Sequence, residues 1–480
     1  MSIFHFDNTY RSLPAETFTE CHPTAVSNPQ LVAFNDSLAA ELGIDTSQSS
    51  PSELEAILSG NIQLPHAAYI AQAYAGHQFG HFNRLGDGRA ILLGEQLTPD
   101  GRRFDLQLKG AGPTPYSRRG DGRATLSSML REYIISEAMF GLGIPTTRSL
   151  AVVATGEAVY REQIQPGAVL TRVAASHLRV GTFQYVAHYG STQTLEQLVD
   201  YSLKRHYPHL IEADNKALAL LQAVMEKQID LIVHWMRVGF IHGVMNTDNV
   251  SIAGETIDYG PCAFMNIYKP ETVFSSIDTT GRYVFGNQPN IALWNLSRLA
   301  ESLLSLIHPQ TEKAIELATQ CIQNTWGQFE SKYKQMLIAK IGFTEPTPDA
   351  LKLSSDLLQW MYAHEADYTN TFVKLMHPQL INDAVYDTTD FTQWLQTWRA
   401  QLSSDSQAYK LMKSQNPIYI PRNHQVEKLL TQIGDTGDLK PLHAYLAQLT
   451  SPYNAHEPNQ LLMQGPPPAH DQNYKTYCGT

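Results

Sequence analysis

The sequence predicts an α+β chain of two lobes, a strand-rich lobe followed by a helical one. Three observations carry this. Between residues 90 and 174, short apolar runs recur: AILLGEQL, RFDLQLKG, SLAVVAT, AVYREQI and GAVLTRV. One helical stretch interrupts them. From about residue 194 the apolar period lengthens to that of a helix and stays there through most of 311–412. A chain of 480 residues also exceeds a single small core and suits one large two-lobed body. The expected division is an N-terminal extension over 1–59, a small lobe over 60–185 and a large lobe over 186–410. A C-terminal extension over 411–480 packs on the body and ends in a flexible tail.

Residues 1–60 are mixed and turn-rich and are expected to wrap the body. The stretch AAYIAQAYAGHQFGH is aromatic and carries His77 and His81. GDGR at 86–89 is a tight turn. AILLGEQL and RFDLQLKG, joined by the turn residues TPDG, read as a hairpin whose second strand ends at Lys109. A Gly- and Arg-rich loop, GAGPTPYSRRGDGRA, leads into a helix from about 125 to 140. There Leu126, Leu130, Tyr133, Ile134 and Phe140 keep helical spacing, and Gly141, Gly143 and Pro145 end it. Three further strands follow. ALALLQAVMEKQIDLIVHWMRV is a long amphipathic helix closed by Gly239, and VSIAGETID reads as a short two-stranded hairpin. Helical patterning returns over 290–307.

Composition removes several function classes. The net charge of −11 argues against a nucleic-acid or membrane-surface binder, while leaving room for an anionic ligand held by local arginines. No apolar run is long enough to span a bilayer. The opening MSIFHFDNTYRSLP lacks the pattern of a secretory signal. The four cysteines, Cys21, Cys262, Cys321 and Cys478, form no CxxC pair, so a reduced cytoplasmic protein is expected, and a monomer.

The chemistry concentrates in GFIHGVMNTDNVSIAGETIDYG, residues 239–260. Asp258-Tyr259-Gly260 resembles the metal-binding Asp-Phe-Gly of protein kinases. His242 precedes Asn249 by the seven positions of the kinase catalytic loop, yet the place of the kinase base is taken by Val244. Asn249 and Asp258 are hard oxygen donors of the kind Mg²⁺ takes beside phosphate oxygens and water. Asp248 is the carboxylate available to replace the missing base, since transfer to a hydroxyl needs an acceptor for its proton. An Asx-rich turn would be the bland reading of this loop, and the combined spacing outweighs it.

Lys109 ends a strand just before a helix bearing Glu132 and Glu137, as in kinases that hold a phosphate-binding lysine with a helical glutamate. Spacing favours Glu132; Glu137 is the rival. The paired turns Gly86-Asp87-Gly88-Arg89 and Gly120-Asp121-Gly122-Arg123 bring backbone amides close enough for phosphate oxygens. Arg172 and Arg179, near the expected hinge, suit terminal phosphates better than an adenine. Were they to hold the γ-phosphate, the α-phosphate would face the acceptor. His77 and His81 have no Cys cluster or HExxH beside them, and a structural role is expected.

Three long segments, YAGHQFGHFNRLGDGRAILLGE, DLQLKGAGPTPYSRRGDGRATLSSMLREYIISEAMFGLGIPTTRSL and HGVMNTDNVSIAGETIDYGP, resemble the signature segments of the selenoprotein O family. The resemblance runs through essentially the whole chain. It implies a protein-kinase-like fold that moves AMP from ATP, bound in flipped orientation, to Ser, Thr or Tyr hydroxyls of proteins. Mg²⁺ serves as the metal, with Mn²⁺ as an alternative. By it, Lys109, Glu132, Arg172 and Arg179 form a phosphate clamp, and Gly86, Gly88, Arg89, Asp121 and Gly122 line the nucleotide site. Asp248 is the proton acceptor, and Asn249 and Asp258 are the metal ligands. An ordinary phosphotransferase and a nucleotide-binding scaffold are the competing readings. Some relatives carry selenocysteine where Cys478 stands, and in some bacterial ones a cysteine well after the D-Y-G pairs with the terminal one. ETVFSSIDTTG here has none. Cys262 is the nearby substitute, so a Cys262–Cys478 disulfide and an inert terminal thiol both stay open.

Overall fold

Alternation along RFDLQLK sends Leu106 and Leu108 to one side of a strand and Asp105, Gln107 and Lys109 to the other. Around that strand the chain builds a mixed α+β fold, a central sheet with helices on its faces. The computed structural model describes residues 3–47, 49–402, 405–454, 459–465 and 474–477. Its strands begin with β1 (Phe18–Glu20), β2 (Gln30–Phe34), β3 (Ile70–Gln72), β4 (Ala75–Gln78), β5 (His81–Arg84) and β6 (Ala90–Leu97). They continue with β7 (Arg103–Lys109), β8 (Ala124–Thr125), β9 (Arg148–Tyr160), β10 (Ile164–Ala174), β11 (Phe240–Ile241) and β12 (Ala263–Phe264). An eight-stranded antiparallel sheet runs in the order β1-β3-β6-β7-β10-β9-β2, with β8 pairing β10 off that path. β4 with β5, and β11 with β12, form two separate ribbons.

Helices α1 (Asp36–Glu41) and α2 (Pro51–Ser59) cover one face. Leu38, Leu54, Ile57 and Leu58 pack there with Leu106, Leu108, Val153 and Val169. Helix α3 (Leu126–Gly141) covers the other, where Leu130 and Ile134 pack with Val152, Ala168 and Leu170. Its start is set by Thr125, whose hydroxyl accepts from Ser128 N at 3.3 Å. Beyond the sheet lie α4 (Val180–Tyr189), α5 (Thr192–His206), α6 (Lys216–Val238), α7 (Gln288–Ile307) and α8 (Thr311–Lys340), then shorter helices up to Met463. Among the described residues no helix is long and apolar enough to cross a membrane.

The long helix ends where the apolar stripe predicts. Gly239 is left-handed at φ 74 and turns the chain into β11. β11 pairs with β12 so that residues 242–262 leave and return at one place.

Three expectations need correction. The first 60 residues do more than wrap the body: β1 and β2 are the two edges of the sheet. SLAVVAT and AVY join into the single strand β9, and the turn falls after Tyr160. VSIAGETID forms no hairpin. Its backbone is taken by other segments: Val180 N donates to Val250 O, Ile252 N to Leu178 O, Thr256 N to Pro145 O and Thr147 N to Thr256 O. Alternating residues made it look like paired strands, but the partners lie far away in sequence. Near the other end, Thr476 N donates to Phe274 O at 2.8 Å, and Thr476 Oγ1 to Pro261 O at 2.6 Å. Cys478, its suggested pairing with Cys262, and the Pro466-Pro467-Pro468 stretch lie outside the described residues.

Candidate active site

Sheet register and helix phase bring the charged residues together. Gln107 pairs with Arg172 and Lys109 with Leu170, so Lys109 and Arg172 project from neighbouring strands on the same face. Glu132 meets both from α3. Lys109 Nζ lies 2.6 Å from Glu132 Oε2, and Arg172 donates to Glu132 Oε1 from Nε at 2.9 Å and Nη2 at 2.6 Å. Glu137 is elsewhere, held by Arg148 at 2.6 Å, Asn35 at 2.8 Å and Ser149 N at 3.1 Å.

Asp258 closes the cluster from the loop after α6. Its Oδ1 accepts from Lys109 at 3.0 Å and Arg172 at 2.5 Å, and its Oδ2 lies 3.4 Å from Arg179 Nη1. Its backbone is left-handed at φ 63, an uncommon state for a non-glycine. Burial alone would raise the Asp258 carboxyl. Arg172, Lys109 and Arg179 outweigh that and hold it well below the usual carboxylate range. Glu132 is governed the same way: burial pushes it up, and Arg172 and Lys109 bring it down below its ordinary value. Both acids are therefore anionic at neutral pH.

Asp248 stands apart. It is buried at 8% exposure, and its Oδ1 has no hydrogen-bond partner. Burial pushes its carboxyl up to about 6 against the pull of Arg179. Arg179 reaches the same residue through its backbone, Nη1 to Asp248 O at 2.9 Å, and lies over the Tyr74 ring at 4.5 Å. Asn249 Nδ2 donates to Val244 O at 2.9 Å, a bond that does not use its Oδ1. His242 is fully buried. Its Nε2–H points to Ile257 O at 2.9 Å, fixing the chain just before Asp258, and burial depresses its basicity.

These residues border one cavity of about 570 Å³, a size suited to a small ligand. Gly86, Gly88, Arg89, Lys109, Asp121, Gly122, Arg172, Arg179, Asp248, Asn249 and Asp258 all line it, and Glu132 stands behind Lys109. Its lining holds seven cations, Arg89, Lys109, Arg118, Arg123, Arg161, Arg172 and Arg179, against four acids, Asp87, Asp121, Asp248 and Asp258. A chain of net charge −11 thus keeps a cationic pocket.

The two G-D-G-R turns differ from what their glycines suggest. Asp87 is buried and turned inward, accepting from Gln72 N and Gln107 Nε2, both at 3.1 Å. Asp121 is gripped by Arg161 at 2.8 and 3.0 Å. Gly122, at φ 67, sits so close to Gly112 that any Cβ would overlap the backbone there. Sequence reasoning missed Arg161, which was placed inside a strand and stands in the turn after Tyr160. It also missed Tyr74 and Asn246, which carry no local motif. His77 is a packing residue, its Nδ1 2.8 Å from Gln184 Nε2 and its ring against Phe82 and Trp294. Among the described residues no group of three or more His, Cys, Asp or Glu gathers to hold a metal.

The chain is similar to known proteins over almost its whole length. The family model described as Protein adenylyltransferase SelO matches residues 1–450. Proteins named Protein nucleotidyltransferase YdiU are similar over nearly their whole length. That of Halalkalibacterium halodurans is 54% identical, covering 99% of this chain and 97% of the relative. That of Nitrosococcus oceani is 51% identical with the same coverage. That of Alcanivorax borkumensis is 52% identical, covering 99% of both. With a family model matching residues 1–450 and such identity over almost the whole chain, the chain belongs to the protein adenylyltransferase SelO family.

Proposed function

We propose that this protein transfers AMP from ATP to Ser, Thr or Tyr hydroxyls of other proteins and releases pyrophosphate. The scaffold is kinase-like, with the small lobe over 60–185, the large lobe over 186–410 and the extensions 1–59 and 411–480 around them. The observation that carries the reading is Asp248, a buried carboxylate with a free oxygen, beside Lys109, Arg172, Arg179 and Asp258. Val244 occupies the position of a kinase base and has no proton to take or give. The hydroxyl is therefore activated four residues later, at a different phosphate.

The cationic lining suits a triphosphate. Arg172 and Arg179 hold the terminal phosphates, which leaves the α-phosphorus toward Asp248. The acceptor oxygen attacks that phosphorus, and its proton passes to Asp248. The bond to the bridging oxygen breaks, and Lys109 and the arginines stabilise the charge that develops on pyrophosphate.

Asn249 Oδ1 and the Asp258 carboxylate fit a magnesium ion, or manganese in its place. Both are oxygen donors, and two of them with phosphate and water meet its preference without an all-protein cage. When bound, the ion neutralises phosphate charge. The test uses ATP labelled separately at the α and γ positions, with intact mass of the modified acceptor. α-Label and a gain of one AMP are expected. A gain of one phosphate would overturn the reading, and nucleotide binding with no transfer would leave a scaffold.

A further inference from the structure

Asn246 stands two residues before Asp248, at the start of the helical turn Thr247–Asn249. An asparagine there ordinarily caps the turn with its side-chain oxygen. Here it makes no such bond, and the turn is closed by backbone alone, Asn249 N donating to Asn246 O at 2.9 Å. The side-chain oxygen serves two other segments. Phe79 N, one residue past β4, donates to Asn246 Oδ1 at 3.1 Å, and Tyr283 OH donates to the same atom at 2.7 Å. A backbone N–H can only donate. The atom it meets is therefore the amide oxygen, and the orientation of the amide is settled.

The amide nitrogen is left with both its hydrogens. Among the described residues no atom accepts from Nδ2, yet that nitrogen is not one of the polar atoms sealed in the core. Asn246 is 4% exposed, and it lines the cavity that Asp248, Asn249 and Asp258 also line. Its NH₂ group is thus open to that cavity, while two donors on Oδ1 fix the plane from the other end.

In AMP transfer as proposed above, Arg172 and Arg179 hold the terminal phosphates and Asp248 takes the proton. The non-bridging oxygens of the α-phosphate then have no side-chain donor. They carry charge while the acceptor oxygen bonds to the phosphorus and the bond to the bridging oxygen breaks. Asn246 and Asp248 are two residues apart and line the same cavity, so a phosphorus within reach of one lies close to the other. We infer that Asn246 is a further catalytic residue, whose Nδ2–H donates to a non-bridging oxygen of the transferred α-phosphate. The inference rests on the AMP-transfer reading and deepens it. The amide moves no proton. It is a dipole already in place, so it needs no reorganisation as charge builds.

The experiment uses the full chain, ATP, and the two diastereomers of ATPαS, in which sulfur, a weak acceptor, replaces one or the other non-bridging α oxygen. Rates at saturating nucleotide are read as the mass gained by the chain itself and by a carrier protein bearing Ser, Thr and Tyr. Asn246→Ala should slow transfer from ATP by about 10²–10³-fold, the cost of one lost donor at a developing charge. It should slow one diastereomer as much. The other, with sulfur where the amide reaches, has already lost the bond and should slow far less. Asn246→Asp keeps an oxygen for Phe79 N and Tyr283 OH and removes the NH₂ group, so it should fold as the wild type does and lose at least as much rate as Asn246→Ala. Equal slowing of both diastereomers by Asn246→Ala, as a packing defect gives, overturns the inference. Wild-type rate in Asn246→Asp overturns it too. Absence of AMP on every acceptor in the wild type overturns the transfer reading beneath it.

Discussion

Gly76 is the residue whose substitution separates placement of the proposed base, Asp248, from everything else in the site. An alanine Cβ there would lie 2.5 Å from Asp248 Oδ1, 3.0 Å from its Cγ and 3.1 Å from its Cβ. An ordinary carbon–oxygen contact is about 3.3 Å or longer, so the carboxylate oxygen must retreat by about 0.8 Å. The oxygen is the far end of a side chain and can rotate away, while the contact with Asp248 Cβ at 3.1 Å asks for a shift of a few tenths of an ångström. A reacting group misplaced by about 1 Å loses about 10²-fold in rate. We therefore expect kcat for Gly76→Ala to fall about 10²-fold, about 2.7 kcal/mol in barrier. The ATP Kd should hold, because Lys109, Arg172 and Arg179 are untouched. The assay is steady-state AMP incorporation with calorimetric ATP binding, repeated in an Asp248→Ala background. There the carboxylate is gone and only the contact with the Cβ of residue 248 remains, so Gly76→Ala should cost little further. Equal losses in both backgrounds would refute the argument, as would a single variant within threefold of wild type.

Asp258→Ala should abolish turnover and, by leaving Lys109, Arg172 and Arg179 without their shared carboxylate, weaken metal-dependent ATP binding; activity persisting with chelator present would contradict this. Arg172→Ala strips a partner from two acids in a buried cluster, and unfolding free energy should drop by about 3–5 kcal/mol in denaturant titration. His242 is kept neutral by burial, so its basicity in the fold lies below the ordinary 6.5. The stability this represents is present above pH 6.5 and is lost as pH falls toward the lowered folded value. In that window His242→Gln should flatten the slope of unfolding free energy against pH by up to about 1.4 kcal/mol per unit; an unaltered slope would show that His242 is not the group responsible. Asp248→Ala should slow transfer by about 10²–10⁴-fold with little change in ATP affinity; a collapse of affinity instead would make Asp248 a ligand.

Local patterns were read well where one segment determines its own state. The alternation of RFDLQLK gave both the strand and the side on which Lys109 lies. The stripe of α6 and Gly239 gave a helix and its end, and spacing from Lys109 pointed to Glu132. The failures share a different cause. The 250–258 segment has the apolar rhythm of a hairpin, but its hydrogen bonds go to residues 145–147 and 178–180, a choice that no local window contains. Arg161 enters the cavity only because β9 and β10 cross the sheet and return, and Tyr74 and Asn246 arrive by packing alone. Asp87 and Asp121 were read through their glycines, whereas their carboxylates fasten the turns from behind.

The loop from Gly112 to Gly122 closes on itself: Gly112 N donates to Gly122 O at 3.1 Å, and Thr114 Oγ1 ties the ring to Asp87 O at 2.6 Å. One wall of the cavity is thus a closed loop fastened to the Gly86–Gly88 turn, where Tyr116 packs on Gly86 and Ser117 Oγ donates to Gly88 O, while the opposite wall is woven into the sheet. Changing the length of such a ring alters its closure entropy only logarithmically. Descendants of this chain can therefore recompose residues 118–120, beyond the hold of Tyr116 and Ser117, without disturbing Lys109, Arg172 or Asp258. On the proposed reading, discrimination among nucleotides is free to drift at one end of the cavity, while the chemistry at the other is inherited intact.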